Sequence, residues 1–280
     1  MSMELFSDIK GQVYTLNDVT SAMKNLGANK AKILYVHTDI GFGKPILKRK
    51  DFIAKLYESI LALGIRTLIF PTYTFSFCNR EIYDIKNSKT PMGMLNEYAR
   101  CQNGAFRTKD PLMSVCVIGE VPSELKNISK FSCGKGSAFE IMAQSDENMF
   151  LFFGAKPTEC FTFFHYVESI YGVPYRYDRD FSGEIIDENG VKSNDTYKLC
   201  TLYDTVIPYI DMKLQDRLEA KNILKRSPLG EKELMLIKGK SSFDEAMGWL
   251  KEDINVFLKR PYDLYPLGKS YSYGGVVSVK

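Results

Sequence analysis

This 280-residue chain contains only two histidines and one tryptophan. Its six cysteines (Cys78, Cys101, Cys116, Cys133, Cys160, Cys200) include no C-x-x-C pair, and no H-E-x-x-H or Cys/His cluster at zinc spacing occurs. The spacing therefore predicts reduced, mostly buried thiols and no metal site. Long runs of one charge are also missing: 37 basic and 34 acidic side chains are interspersed. That balance argues against a nucleic acid or an anionic membrane as the main partner. No apolar run is long enough to span a bilayer, and the first residues lack a charged-then-apolar signal pattern, so a cytoplasmic protein is expected. Repeats and low-complexity linkers are absent too.

What the chain does have is alternating helix and strand patterning. Leu16 to Leu26 has helical periodicity behind a Thr15 cap with Asp18 three residues on. Lys32 to His37 reads as a buried strand, Lys50 to Leu63 as a helix, and Thr67 to Phe70 as a second strand stopped by Pro71. Strand, helix, strand predicts a parallel pair in an α/β sheet. Ligands bind such sheets where strand ends meet loops, which points to His37-Thr38-Asp39 and Pro71-Thr72-Tyr73-Thr74. Met94 to Arg100 reads as a helix, and Met113 to Ile118 and Met149 to Phe153 as strands. Residues 181–205 change texture, with Ile185-Ile186 and Tyr197-Lys198-Leu199 flanking the turn at Glu188-Asn189-Gly190, a hairpin signal. Asp211 to Arg226 and Phe243 to Phe257 read as helices. The fold class predicted is α/β, a mixed central sheet with flanking helices and a β-rich C-terminal excursion. It forms one domain over 1–280, with the hairpin inside it.

With two histidines, candidates for a general base are few. His165 lies in Thr162-Phe163-Phe164-His165-Tyr166-Val167-Glu168, directly after a strand and the Gly154-Ala155-Lys156-Pro157 loop. On a helical wheel Phe163, Val167 and Ile170 form an apolar stripe, with His165 and Glu168 opposite. For an arbitrary helix a solvated polar face is the commoner outcome. The position at a strand end and the flanking aromatics Phe161, Phe164, Tyr166 and Tyr171 favour a pocket instead. Gly41-Phe42-Gly43-Lys44 is no phosphate loop, because the four-residue spacer is missing and Pro45 follows the lysine. Arg107 and Ser114 suit an anion and a hydroxyl contact, although a solvated loop is the simpler reading. Cys160 is a poorly spaced partner for His165.

Five segments, in order, resemble the aminoglycoside 3-N-acetyltransferase family. Leu34-Tyr35-Val36-His37-Thr38-Asp39 resembles its VHSS strand end, and Phe70-Pro71-Thr72-Tyr73-Thr74 its PTYT element. The stretch from Pro91 to Arg100 is similar to P-x-MG-x-L-x-E-x-x-R, and that from Arg107 to Val115 to RSxHPxxSV. Thr162 to Glu168 with Pro174-Tyr175-Arg176 matches TxxHxxE…PYR. The likeness spans about residues 12 to 180, with Asp110 in place of a family histidine and Asp39 in place of a serine. It implies a single acyltransferase domain using acyl-CoA as co-substrate, with no metal.

The resemblance implies His165 as base, with Glu168, or else Asp110 or Glu97, as its electrostatic partner. Coenzyme contacts are expected from His37, Thr38, Asp39, Gly41, Thr72, Tyr73, Thr74, Arg107 and Ser114, with backbone N–H groups polarising the thioester. Tyr166, Tyr175 and Arg176 are expected to touch the acceptor. The divergent second half, with Lys192, Lys198, Lys213, Arg217, Lys221, Lys225 and Arg226, suits an anionic acceptor. The expected acceptor is a dTDP-linked 3-amino- or 4-amino-dideoxyhexose of surface polysaccharide synthesis, acylated with acetyl or hydroxybutyryl. The rivals are an aminoglycoside acceptor and a Cys160–His165 amidohydrolase. A homodimer is expected.

Overall fold

The computed structural model describes residues 3–264. The single-domain span drawn over 1–280 thus runs past the described residues at both ends. The main sheet has seven strands: Ile33–Thr38 (β3), Thr67–Pro71 (β5), Phe106–Arg107 (β7), Val115–Gly119 (β8), Asn148–Phe153 (β9), Leu224–Leu229 (β12) and Lys232–Lys238 (β13). Their order is β12-β13-β9-β3-β5-β8-β7. β3 lies parallel to both β5 and β9, and antiparallel strands extend the sheet on either side. Two three-stranded sheets accompany it. Glu4–Ser7 (β1) pairs with Val13–Thr15 (β2) and Lys44–Pro45 (β4). Tyr83–Asp84 (β6) pairs with the long hairpin of Arg176–Ile186 (β10) and Lys192–Leu202 (β11).

Both faces of the main sheet are covered, so its central strands are continuously apolar. Alternation along β3 sends Leu34 and Val36 to one face and Ile33, Tyr35 and His37 to the other. The first face packs under Leu16–Leu26 (α1), Arg49–Leu61 (α2) and Met94–Arg100 (α3). The second is covered by Ala138–Met142 (α5), Phe163–Tyr171 (α7), Met212–Ala220 (α8), Gly239–Glu252 (α9) and the hairpin. The short helices Ser123–Lys126 (α4) and Pro157–Cys160 (α6) complete the set among the described residues. α1 begins with the predicted capping box, in which Thr15 and Asp18 bond reciprocally.

The parallel β3–β5 pair and the mixed sheet agree with the sequence reading. The region after Asp211 does not. The predicted helix stops at Ala220, and Leu224–Arg226 instead starts β12, whose hairpin with β13 attaches to β9. Asn222, at φ 54, makes the break that helical periodicity alone did not reveal. No helix among the described residues is long and apolar enough to cross a membrane.

Candidate active site

The loop leaving β9 carries the site. Gly154 ends the strand at φ +77, and a Cβ there would lie 2.2 Å from the Asp39 carbonyl oxygen. Only glycine lets the two strand ends approach this closely. Beyond it, α6 and α7 fold back over the sheet face that bears Tyr35, Phe150 and Phe152. Phe163 and Val167 anchor α7 in the core, and Gly172 at φ +79 terminates it. Val173-Pro174-Tyr175 then reverses the chain, so Arg176 at the start of β10 returns against the polar face of α7.

That reversal buries what the wheel placed on a polar face. Glu168 and Arg176 have side chains only 2% and 5% exposed, while His165 remains 37% exposed. Arg176 donates to Glu168 Oε2 from Nε (2.8 Å) and from a terminal nitrogen (2.7 Å), and its other terminal nitrogen donates to the Cys200 carbonyl at 3.0 Å. His165 Nδ1 lies 3.2 Å from the same carboxylate oxygen and 2.7 Å from the guanidinium. A guanidinium only donates, so the 2.7 Å contact fits an Nδ1 that accepts from Arg176. The base-competent tautomer, with its proton on Nδ1 and given to Glu168, requires the Arg176 nitrogen to draw back onto the carboxylate and leaves the Nε2 lone pair for substrate. Burial alone would raise the Glu168 pKa, but Arg176 and His165 outweigh it and hold the carboxyl below its ordinary value. Burial and then the Arg176 charge lower the His165 pKa, against the opposing pull of Glu168. The ring is therefore neutral at neutral pH.

Two cavities meet at His165. One, of about 530 Å³, is lined by Phe161, Phe164, Glu168, Tyr209 and Met212 among others. The other, of about 790 Å³, runs past Tyr73, Phe75, Met92, Arg176, Leu202 and Tyr203. Glu159, Cys160, Thr162, His165 and Pro208 belong to both walls. The imidazole thus has access to groups arriving from two sides.

Of the three carboxylates expected beside His165, Glu168 is the one that touches it. Glu97 and Asp110 are committed elsewhere. Glu97 bonds Arg100 and the Thr90 N–H. Asp110 is wholly buried, accepting from Leu112 N, Met113 N and Ser132 Oγ, and burial raises its pKa to about 6 against those bonds. Tyr175 lies behind the ion pair with no exposed surface, and burial followed by the Glu168 charge pushes its phenol up. Tyr166 turns into the core against Phe163 and Phe243. Ile170, expected in the core, is 40% exposed. Of the three expected acceptor contacts only Arg176 reaches a cavity, and its guanidinium is already occupied.

The expected coenzyme residues divide likewise. Tyr73 lines the larger cavity. His37 is buried, stacked on Phe152 at 4.8 Å, and burial lowers its pKa to about 3. Thr38 bonds Asn96, and Asp39 pairs with Lys232. Arg107 is no anion site. Its guanidinium donates to the Ser88, Thr72 and Ile85 carbonyls and to Ser114 Oγ, and Ser114 donates to the Thr72 carbonyl. The N–H groups of Asp39, Gly41, Thr72 and Thr74 are bonded to Phe153, Asp39, Ser114 and Leu112 respectively. None of these backbone donors is left to polarise a thioester. Arg107→Leu is accordingly expected to cost about 2–3 kcal/mol of stability by stranding buried carbonyls, with the KM for acyl-CoA unchanged. Thermal denaturation and steady-state kinetics on the same preparation check this.

Cys160 is not a nucleophile paired with histidine. Its Sγ bonds the Lys156 carbonyl at 3.3 Å, and burial pushes the thiol up to about 12. Glu159, Phe75, Tyr203 and Tyr209 line the cavities without having been singled out in the sequence, and Thr162, matched in the TxxHxxE segment, lines both. The segment from Tyr203 to Met212 reaches the site only because β11 returns to α7, a placement no local pattern signals.

Comparison with curated protein sequences finds no significant match. The sequence profile described as aminoglycoside 3-N-acetyltransferase matches residues 48–251. Among solved structures, AAC-IIIb in a binary complex with CoASH superposes with a TM-score of 0.72 at 14% identity, covering 89% of this chain and 99% of that one. The aminoglycoside acetyltransferase AAC(3)-Xa gives 0.71 at 18% identity over 85% and 93%, and the YokD protein of Bacillus subtilis 0.69 at 17% over 90% and 96%. The structural likenesses carry the fold, and the profile match covers well over half of the sequence. The chain belongs to the aminoglycoside 3-N-acetyltransferase family, enzymes that transfer an acyl group from coenzyme A to an amine.

Proposed function

We propose that this enzyme acylates the amine of an amino sugar directly from acyl-CoA, with His165 Nε2 as general base. The supporting observation is the position of His165 on the wall shared by two cavities, its Nδ1 held by the buried Glu168–Arg176 pair. Thioester and amine enter from different sides, and the imidazole takes the ammonium or attacking amine proton where they meet. Glu168 accepts the Nδ1 proton in the base-competent tautomer and stabilises the imidazolium that forms.

The lining bears on the acceptor. Apart from His165, the charged side chains of the two cavities among the described residues are Glu159, Glu168, Asp204 and Arg176. Carboxylates outnumber the guanidinium on these walls, with Glu168 bound to Arg176 and Glu159 3.6 Å from Lys156, and that balance favours an acceptor carrying several ammonium groups, as an aminoglycoside does. The lysines and arginines that suggested a nucleotide lie elsewhere. Lys192, Lys198, Arg217, Lys221 and Arg226 form ion pairs with carboxylates, and none of the seven lines either cavity. A dTDP-linked 3-amino- or 4-amino-dideoxyhexose remains the second reading, supported by the divergent second half of the sequence. Its diphosphate then lies outside both cavities.

The test is thiol release with acetyl-CoA and hydroxybutyryl-CoA against a kanamycin-type aminoglycoside and the two nucleotide-linked sugars. Faster turnover of the aminoglycoside is the expected result. Preference for the nucleotide sugars overturns the charge argument, and no thiol release with any pair removes the acyl-transfer reading.

A further inference from the structure

Resting on that reading, we propose that Tyr73 is the hydrogen-bond donor to the thioester oxyanion and that Tyr35 is the residue that positions its hydroxyl. The N–H groups of Asp39, Gly41, Thr72 and Thr74 are already bonded, which directs attention to side-chain donors on the cavity wall. Tyr73, which lines the same cavity as His165 and Thr162, can supply one.

The two tyrosine hydroxyls lie 2.6 Å apart, on side chains that are fully buried for Tyr35 and 3% exposed for Tyr73. Hydrogen-bond accounting orients them. The Tyr35 ring sits among those of His37, Phe139 and Phe150, and its hydroxyl has no other hydrogen bond among the described residues. If Tyr73 donated to Tyr35, the Tyr35 proton would be stranded in an apolar wall, at a cost of about 1–3 kcal/mol. Tyr35 therefore donates and Tyr73 accepts, which turns the Tyr73 proton outward. Thr162 lines the same cavity. Thr162 Oγ1 donates its own proton to the Cys160 carbonyl at 3.2 Å, leaving its oxygen to accept. Thr162 immediately precedes α7, and its carbonyl accepts from the His165 N–H at 2.9 Å. The Tyr73 hydroxyl thus presents its proton to the cavity whose wall carries the base, where an entering thioester oxygen accepts it.

Two further features suit this role. Burial raises the Tyr73 phenol well above its ordinary value, so it keeps its proton and acts as donor, not base. Phe75, two residues on, adopts φ 52, a left-handed conformation unfavourable for a bulky side chain. Its N–H bonds the Leu112 carbonyl and Thr74 Oγ1 bonds the Pro111 carbonyl, holding a turn that puts both the Tyr73 and Phe75 rings on the cavity. Strain of this kind is found where a site needs a fixed side-chain position.

The step balances. The amine nitrogen forms a bond to the thioester carbon, the carbonyl π pair moves to oxygen, and that oxygen accepts from Tyr73. The amine proton passes to His165 Nε2. Collapse re-forms the C=O, breaks the C–S bond, and returns the proton from the imidazolium to the departing sulfur, giving amide and free CoA thiol.

Tyr73→Phe is expected to lower kcat by about 100- to 1000-fold, the range for loss of one oxyanion donor, with both KM values within about threefold of wild type. Tyr35→Phe is expected to lower kcat by about tenfold with the same KM pattern. The double variant should be no slower than Tyr73→Phe alone, because Tyr35 acts through Tyr73. Thermal midpoints establish that each variant is folded, and if Tyr73→Phe is not, the kcat of Tyr35→Phe decides. Wild-type thiol release with kcat unchanged in the folded variants overturns the assignment alone. A wild-type enzyme that releases no thiol with any acyl-CoA and amine removes the acyl-transfer reading, and the assignment with it.

Discussion

Replacing His165 with asparagine is expected to lower kcat by two to four orders of magnitude, the span of a lost general base, while acyl-CoA binding stays near normal. Asparagine retains a polar group at the wall but cannot take the proton at Nε2. The wild-type pH profile supplies an independent check. Burial and the Arg176 charge lower the His165 pKa, outweighing Glu168. The neutral, base-competent imidazole therefore persists below the ordinary histidine value of about 6.5. The acid limb of kcat/KM is expected below that value, with activity present above the limb and lost as pH falls through it. His165→Asn should abolish the limb along with the rate. A variant turning over within about threefold of wild type removes His165 from the base role.

The parts of this enzyme that were readable in the sequence are those written in local pattern. The Thr15–Asp18 capping box, the β3 and β5 strands and the turn at Asn189-Gly190 each depend on neighbours in the chain. His165 was readable by scarcity, and Glu168 by its position three residues on. The role of Arg176 was not, because it depends on the chain reversing after Gly172 and burying a face that the helical wheel leaves polar. For the same reason Ile170 was placed in the core and Tyr166 on a pocket wall, whereas Ile170 is 40% exposed and Tyr166 packs into the core. Arg107 and Ser114 illustrate a different limit. A charged turn before a strand gives no indication that its guanidinium will be enclosed by four protein oxygens, and anion binding was the natural inference. The Tyr35–Tyr73 contact joins the middle of β3 to the segment just after β5, 38 residues apart, and is invisible to periodicity.

The Glu168–Arg176 pair yields the largest expected effect on stability. Arg176→Met leaves the Glu168 carboxylate buried without its cation, and losing one partner of a buried pair costs about 3–5 kcal/mol. In a domain of this size that lowers the melting temperature by on the order of 10 °C. Activity should fall too, since a carboxyl deprived of its cation takes up a proton and no longer favours Nδ1–H on His165. Glu168→Gln makes the complementary break, stranding the guanidinium. Because the folded pKa of Glu168 is depressed, its contribution is fully present above the unfolded value of about 4.3 and is lost as pH falls through the folded value. The gap in melting temperature between wild type and Glu168→Gln should therefore be constant near neutrality and shrink in acid. The double variant Arg176→Met/Glu168→Leu separates stability from function. Removing both charges together restores much of the lost stability, since apolar residues of similar volume often replace a buried ion pair at little cost. Activity should not return with it, because His165 then has no carboxylate to hold its proton on Nδ1. A double variant that recovers both melting temperature and turnover would show the pair to be a packing element with no part in setting the base.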